Sequence, residues 1–346
     1  MKWQWSLLSL TLLVSTVLAQ ESPQKTAAPA AGAPAPSAIT DSTLTQTSPA
    51  LFPADGGSES AGGRFSGNHN FDNFIGWMDN PVQNIDPRAV TEIVPIFGSS
   101  WFSPSRPLPS GNAQVYGPAL SVALSERFCV GLNQGGYAVA DFNGRQSGFF
   151  TDRFGRIHNR LEAATGQREG WLNTGGFAQY TFYEDVPDQC LATAGMRIEV
   201  PIGSKEIFEG NGPAYMSTYL SGGKELGNWH FLGMTGFEFP LGPGTSTTNL
   251  FYGNIHIDRQ IGWLYPLVEF NWSYHVRTIA VDLPLRRGFL DLDNFSSTGN
   301  IVSLAAGADA VIIKNRLEFG AVYTTPIDTQ HNFSANGLIV KLVLRY

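Results

Sequence analysis

Apolar residues recur at every second position through much of this chain, and the phase breaks where Gly, Pro, Asn, Asp or Ser cluster. Residues 190–200 place Cys190, Ala192, Ala194, Met196, Ile198 and Val200 on one face, against Thr193, Gly195, Arg197 and Glu199 on the other. Residues 262–275 set Leu264, Val268, Phe270, Trp272 and Tyr274 against Glu269, Asn271 and Ser273. In 314–324, Leu317, Phe319, Ala321 and Tyr323 oppose Arg316, Glu318 and Gly320; in 336–346, Leu338, Val340, Leu342, Leu344 and Tyr346 oppose Lys341 and Arg345. A period of two marks a strand with two unlike faces. About twelve such segments are predicted, near 90–98, 112–123, 126–142, 170–183, 189–201, 214–221, 228–239, 248–258, 262–275, 300–311, 314–324 and 336–346.

The connections between them alternate in length. Long ones fall at 99–111, 143–169, 202–213, 240–247, 276–299 and 325–335; short ones at Ser125, Glu184–Asp188, 222–227, Arg259–Ile261 and a step at Ile312. Regular alternation is the habit of a transmembrane antiparallel up-and-down β-barrel with short periplasmic turns and long extracellular loops. A soluble sandwich has no reason for it. The expected fold is all-β, a barrel of about twelve strands over residues 90–346.

The polar phase of these strands collects Glu92, Arg197, Glu199, His230, Glu238, His256, Asp258, Glu269, Asp309, Arg316, Glu318, Lys341 and Arg345. A charge facing lipid costs about 2–4 kcal/mol near the midplane, so a shared phase assigns them to the lumen. They would either line a path for a solute or form a ladder of ion pairs that fills a narrow lumen, and the sequence leaves both open. Trp171, Trp229, Trp263 and Tyr346 fall near strand ends, where an interfacial aromatic belt belongs.

The region before the strands has a different composition. Lys2, the apolar run Leu7–Leu18 and the small-residue site at Val17-Leu18-Ala19 predict a cleaved signal peptide, residues 1–19. Residues 20–63, rich in Ala, Pro and Ser, read as a disordered periplasmic leader. Residues 64–89 form a short pre-barrel segment in which Phe71, Phe74, Ile75 and Met78 stand at helical spacing before Asn80-Pro81. A small helix and a buried loop turn are both compatible with that spacing. Export and a barrel together predict the bacterial outer membrane.

Charge and chemistry narrow the function. A net charge of −7 offers no basic field to neutralise phosphates, which excludes nucleic acid as a partner. Cys129 and Cys190 map to strands separated by a third, too far apart for a bridge, so two free thiols are expected. No GxSxG, HExxH or paired-cysteine spacing occurs, His230 and His256 begin no nucleophile pattern, and the glycine-rich GNGP at 210–213 falls in a loop. No enzyme activity, cofactor or metal is expected. The long 143–169 connection carries Arg145, Arg153, Arg156, Arg160 and Arg168, whose guanidinium groups suit lipopolysaccharide phosphates or anionic solutes.

Several stretches carry a resemblance: RIEVPIG at 197–203, GNGPAYMSTYL at 210–220, YPLVEFN at 265–271 and GADAVIIKNRLEFGAVYTTPI at 307–327. Together they resemble the outer-membrane transporters named for the MetA pathway of phenol degradation. The likeness runs best from Cys190 to Tyr346, fades toward Thr91 and omits residues 20–90; NPVQNIDPRA at 80–89 has no counterpart in it. The resemblance implies a passive channel for small solutes, aromatic or hydrophobic ones among them, and offers no catalytic residues. The alternative is a non-conducting barrel that is structural or adhesive and acts through its extracellular loops. The expected partners are outer-membrane lipid, lipopolysaccharide, a small-molecule solute, and the barrel-assembly machinery, which would read the closing strand ending in Tyr346.

Overall fold

Each alternating segment becomes a strand whose apolar face turns outward and whose polar face turns inward. In the computed structural model the described residues are 65–103, 110–143, 150–151, 157–158, 166–207, 209–210, 212–242, 249–276, 299–328 and 335–346. The chain divides into two units, Met1–Leu51 and Phe52–Tyr346, and all described residues belong to the second. The expected signal peptide and leader lie outside the described residues.

Twelve strands build the sheet among these residues. They are β1 (Glu92–Phe102), β2 (Ser110–Ala123), β3 (Phe128–Gln134 and Tyr137–Asn143), β4 (Gly166–Trp171 and Thr174–Asp185), β5 (Cys190–Val200) and β6 (Ala214–Leu226). There follow β7 (Trp229–Leu241), β8 (Leu250–Arg259), β9 (Leu264–His275), β10 (Gly299–Ile313), β11 (Leu317–Asp328) and β12 (Ala335–Arg345). Each pairs antiparallel with the next. β12 closes on β1, with Arg345 opposite Glu92 and Ala335 opposite Phe102, so the sheet is a closed barrel without a free edge. Phe150–Thr151 and Ile157–His158 pair as a small ladder outside it.

The connections alternate as expected, short at 124–127, 186–189, 227–228, 260–263 and 314–316, long at the other rim. One expected turn moves. Residues 222–226 continue β6 to a tight turn at Gly227-Asn228, and Gly222-Gly223 sits inside the strand. The missing side chain at Gly223 is needed there: a Cβ would press on Leu232 at 2.8 Å and on Phe74 at 3.0 Å.

The outer face exposes Ile93, Phe128, Met196, Ile198, Leu220, Val268, Phe319, Tyr323 and Leu344, among others. Trp171, Trp229, Trp263 and Tyr346 are exposed as well. Inside, a barrel of eight strands is just filled by its own side chains, and twelve leave room for more. Residues 65–91 occupy that room. They enter at the short-turn rim, where Gly67 bridges Val90 and Thr91 donates its hydroxyl to the Phe65 carbonyl, run up to a turn at Asn80–Gln83, and return to β1. Phe71–Met78 is not helical. Beyond one Phe74-to-Phe71 backbone bond, its Met78 N–H and Trp77 carbonyl bond lumen side chains, and its apolar side chains spread over two arcs of the wall, β5–β8 and β9–β11.

Candidate functional site

The inserted segment is held by two kinds of contact. Phe71, Phe74, Trp77 and Ile85 pack with Leu191, Tyr219, Leu232, Met234, Leu250 and Tyr252 from β5 to β8. Ile75 and Met78 pack with Tyr265, Leu267, Ala305 and Val322 from β9 to β11. Burying each large side chain contributes about 1.5–3 kcal/mol before conformational entropy is subtracted. The second kind is polar. Glu269 accepts the backbone N–H groups of Met78 at 2.7 Å and Asp79 at 2.6 Å, one on each carboxylate oxygen. Thr193 donates to the Pro87 carbonyl at 2.6 Å, Gln179 to the Asp86 carbonyl at 2.7 Å, and Lys341 to the Trp77 carbonyl. Asn271 and Thr324 donate to the Asp79 carboxylate at 2.8 and 3.1 Å. A segment with no helix or strand of its own thereby has several of its buried backbone groups satisfied by the wall.

Two carboxylates of the segment feel this setting differently. Burial and the neighbouring Glu269 raise the Asp79 pKa to about 6. Burial also acts to raise Asp86, but the Arg88 guanidinium at 2.6 Å overrides it and holds the carboxyl below its usual range. Arg88 spends its remaining donor on the Phe71 and Phe74 carbonyls and staples the two arms of the segment together.

The sequence-derived lumen residues gather into three clusters. Toward the long-loop rim, Arg197 bonds Glu199 at 3.0 Å, Glu238 at 3.4 Å, Gln134 and Asn133. From the short-turn end toward mid-height a chain crosses β7, β8 and β9: His230 Nδ1 to Asp258 at 2.6 Å, Asp258 to His256 Nε2 at 2.9 Å, His256 Nδ1 to Glu269 at 2.6 Å. Both ring nitrogens of His256 meet carboxylate oxygens, so this chain favours a doubly protonated imidazole that bridges two acids. At the short-turn rim Arg345 joins Glu92 at 3.0 Å to Glu318. Asp309 and Lys341 are also buried. Arg316 is a correction. It is exposed on the 314–316 turn, because β11 begins only at Leu317 and the alternating phase cannot be carried back past a turn. Arg145, Arg153, Arg156 and Arg160 lie outside the described residues, and both cysteines are free.

Among the described residues, cavities flank the inserted segment, and two of them matter to the site. The larger, about 300 Å³, opens toward the long-loop rim and has its floor on Asp79–Gln83. Its lining mixes amides and hydroxyls (Asn133, Gln134, Asn271, Ser303, Thr324) with Ile96, Val115, Leu172 and Ile301, and Asp79 is the one ionisable side chain among its described lining. The smaller, about 60 Å³, lies between Ile85–Val90 and β1–β4, with Phe177 and Gln179 of β4 in its wall. It has room for about two waters.

The period-two pattern puts Thr193 and Asn271 on the polar face beside the charged positions, but it does not single out Asn133, Gln179, Asn254 and Thr324, which also hold the insert. It also misses the insert's own Asp79, Asn84, Asp86 and Arg88. A signal existed. Leu191, Leu232, Leu250, Tyr265 and Leu267 interrupt the polar phase with buried apolar residues, which no water-filled lumen requires.

No family model and no curated protein matches the chain. Among solved structures it is similar to an outer membrane channel from Pseudomonas putida F1, at 10% identity over 75% of this chain and 98% of that one, with a TM-score of 0.49. It is also similar to the β domain of the Bordetella autotransporter BrkA (14% identity, 74% and 99% covered, TM-score 0.42) and to KdgM porin (10%, 74% and 99%, 0.39). Similarity at this level says nothing of what this chain does.

Proposed function

We propose that the chain is an outer-membrane channel for small uncharged solutes whose lumen is closed by residues 65–91. A closed barrel with an apolar outer face, which would leave a large exposed patch in water, fits a bilayer. The observation that carries the channel reading is the vestibule of about 300 Å³ whose floor is a non-covalently held segment rather than the barrel wall. That volume sits at the lower end of the range of about 300–1,000 Å³ used by small-molecule sites. Its lining of uncharged polar groups among aliphatic ones suits a solute with an apolar body and a hydroxyl or amide. The aromatic solutes implied by the family resemblance are of this kind.

One observation favours the alternative, a non-conducting barrel acting through its loops: the short-turn half of the lumen is filled. Single-channel recording of the full chain in planar bilayers separates the two. Glu269→Gln removes the charge that accepts both plug N–H groups and should increase open events over wild type. Glu318→Gln leaves Arg345 paired with Glu92 alone, adds one net positive charge at the rim and should shift ion selectivity toward anions. If wild type and both variants show neither conductance nor solute flux, the non-conducting barrel is the better reading.

A further inference from the structure

The two cavities share one polar side chain: Asn133 lines both the vestibule and the inner pocket. It points inward in the ordinary alternation that starts at Cys129, and β3 breaks that alternation immediately after it, at Gln134. The register with β4 shifts between Leu132 and Gln134, and the consecutive residues Asn133 and Gln134 are both buried. Re-aiming a side chain is what a bulge does. The two residues then serve different partners. Gln134 accepts from Arg197 Nη2; Asn133 accepts from Arg197 Nε at 3.3 Å and donates Nδ2 to the Val82 carbonyl of the plug at 2.6 Å.

The plug is fastened unevenly around the barrel. On β8, β9, β11 and β12 it meets Asn254, Glu269, Asn271, Thr324 and Lys341, and on β4 and β5 it meets Gln179 and Thr193. Facing β2 and β3, the wall bonds at the rim are those of Ser121 and Cys129 to Val90 and of the Ala123 N–H to the Thr91 hydroxyl, and above the rim stands that of Asn133. The inner pocket lies on this side, and the vestibule reaches across to it from β9–β12 above the plug. From this we infer that the solute path of the channel proposed above runs between the plug and β1–β3, and that the Asn133–Val82 hydrogen bond is the gate at its neck. The inference rests on the channel reading. It also narrows the solute: to pass, it must replace the amide on the Val82 carbonyl, which requires an O–H or N–H donor. Beyond the neck, Asp86 is paired with Arg88 and Glu92 with Arg345, so neither sign of ion is drawn through.

Cys129 gives a test, because its thiol lines the inner pocket and is otherwise buried. The full chain is reconstituted in planar bilayers as wild type, Asn133→Ala, Asn133→Ser and Glu269→Gln, with folding checked by migration of unboiled samples. The inference expects a several-fold rise in conductance for both Asn133 variants. It also expects block by a small methanethiosulfonate reagent added on the long-loop side, and loss of that block when Cys129→Ser is added. The serine variant keeps a polar group near Arg197 should the alanine variant fail to fold. If Glu269→Gln conducts while the Asn133 variants match wild type, or if they conduct without thiol block, the path lies elsewhere and the channel reading stands. If no variant conducts, both fall.

Discussion

At the scale of single residues, Asp79 makes plug retention dependent on pH. Its native pKa is raised to about 6 by burial and by Glu269, against an ordinary value of 3.8. Between these values the native state keeps a proton that the unfolded chain has lost, so stability falls as pH rises through this window and is level above it. The effect is about 3 kcal/mol at most. Asn271 and Thr324 can still donate to an amide oxygen, so Asp79→Asn should be more stable than wild type at pH 7. The difference should vanish near pH 4. Urea titrations of both proteins at the two pH values check this, and an identical pH dependence in the two would refute it.

At the scale of elements, the alternating phase made the strands and their facing legible, because each strand has water or plug on one side and an apolar surround on the other. Residues 190–200 and 262–275 needed nothing else. The break in β3 was not legible, since Asn133-Gln134-Gly135-Gly136 reads as well as a turn as it does as a bulge between two paired segments. Backbone approach decides the matter. Gly136 has φ of +120° and lies so close to the Tyr116 carbonyl that a Cβ would collide with it, while its own carbonyl accepts from Leu172 at 2.9 Å across the matching break in β4. Gly136→Ala should therefore cost at least about 1–3 kcal/mol from backbone strain alone. The readout is the urea midpoint of the folded barrel, and an unchanged midpoint would show that the break is pliable.

At the scale of the whole molecule, closure of β12 onto β1 predicts heat-modifiable migration: unboiled protein should run apart from boiled protein on gels, and extraction as a soluble periplasmic species would count against a membrane barrel. The insert was the part of this architecture that sequence did not disclose. Residues 65–91 show only the short helical spacing of Phe71–Met78, which the fold does not use, and their partners are scattered over strands from β2 to β12, so no local window contains the reason for their position. The route they take has a mechanical consequence. Because Phe65 and Thr91 meet at the same opening, the segment is a bight pushed into the barrel and not a thread passed through it. It is topologically unlinked from the wall: no chain end has to travel the length of the lumen for it to go in or come out. The cylinder can close first and be filled afterwards, and emptying it later requires the breakage of weak bonds alone.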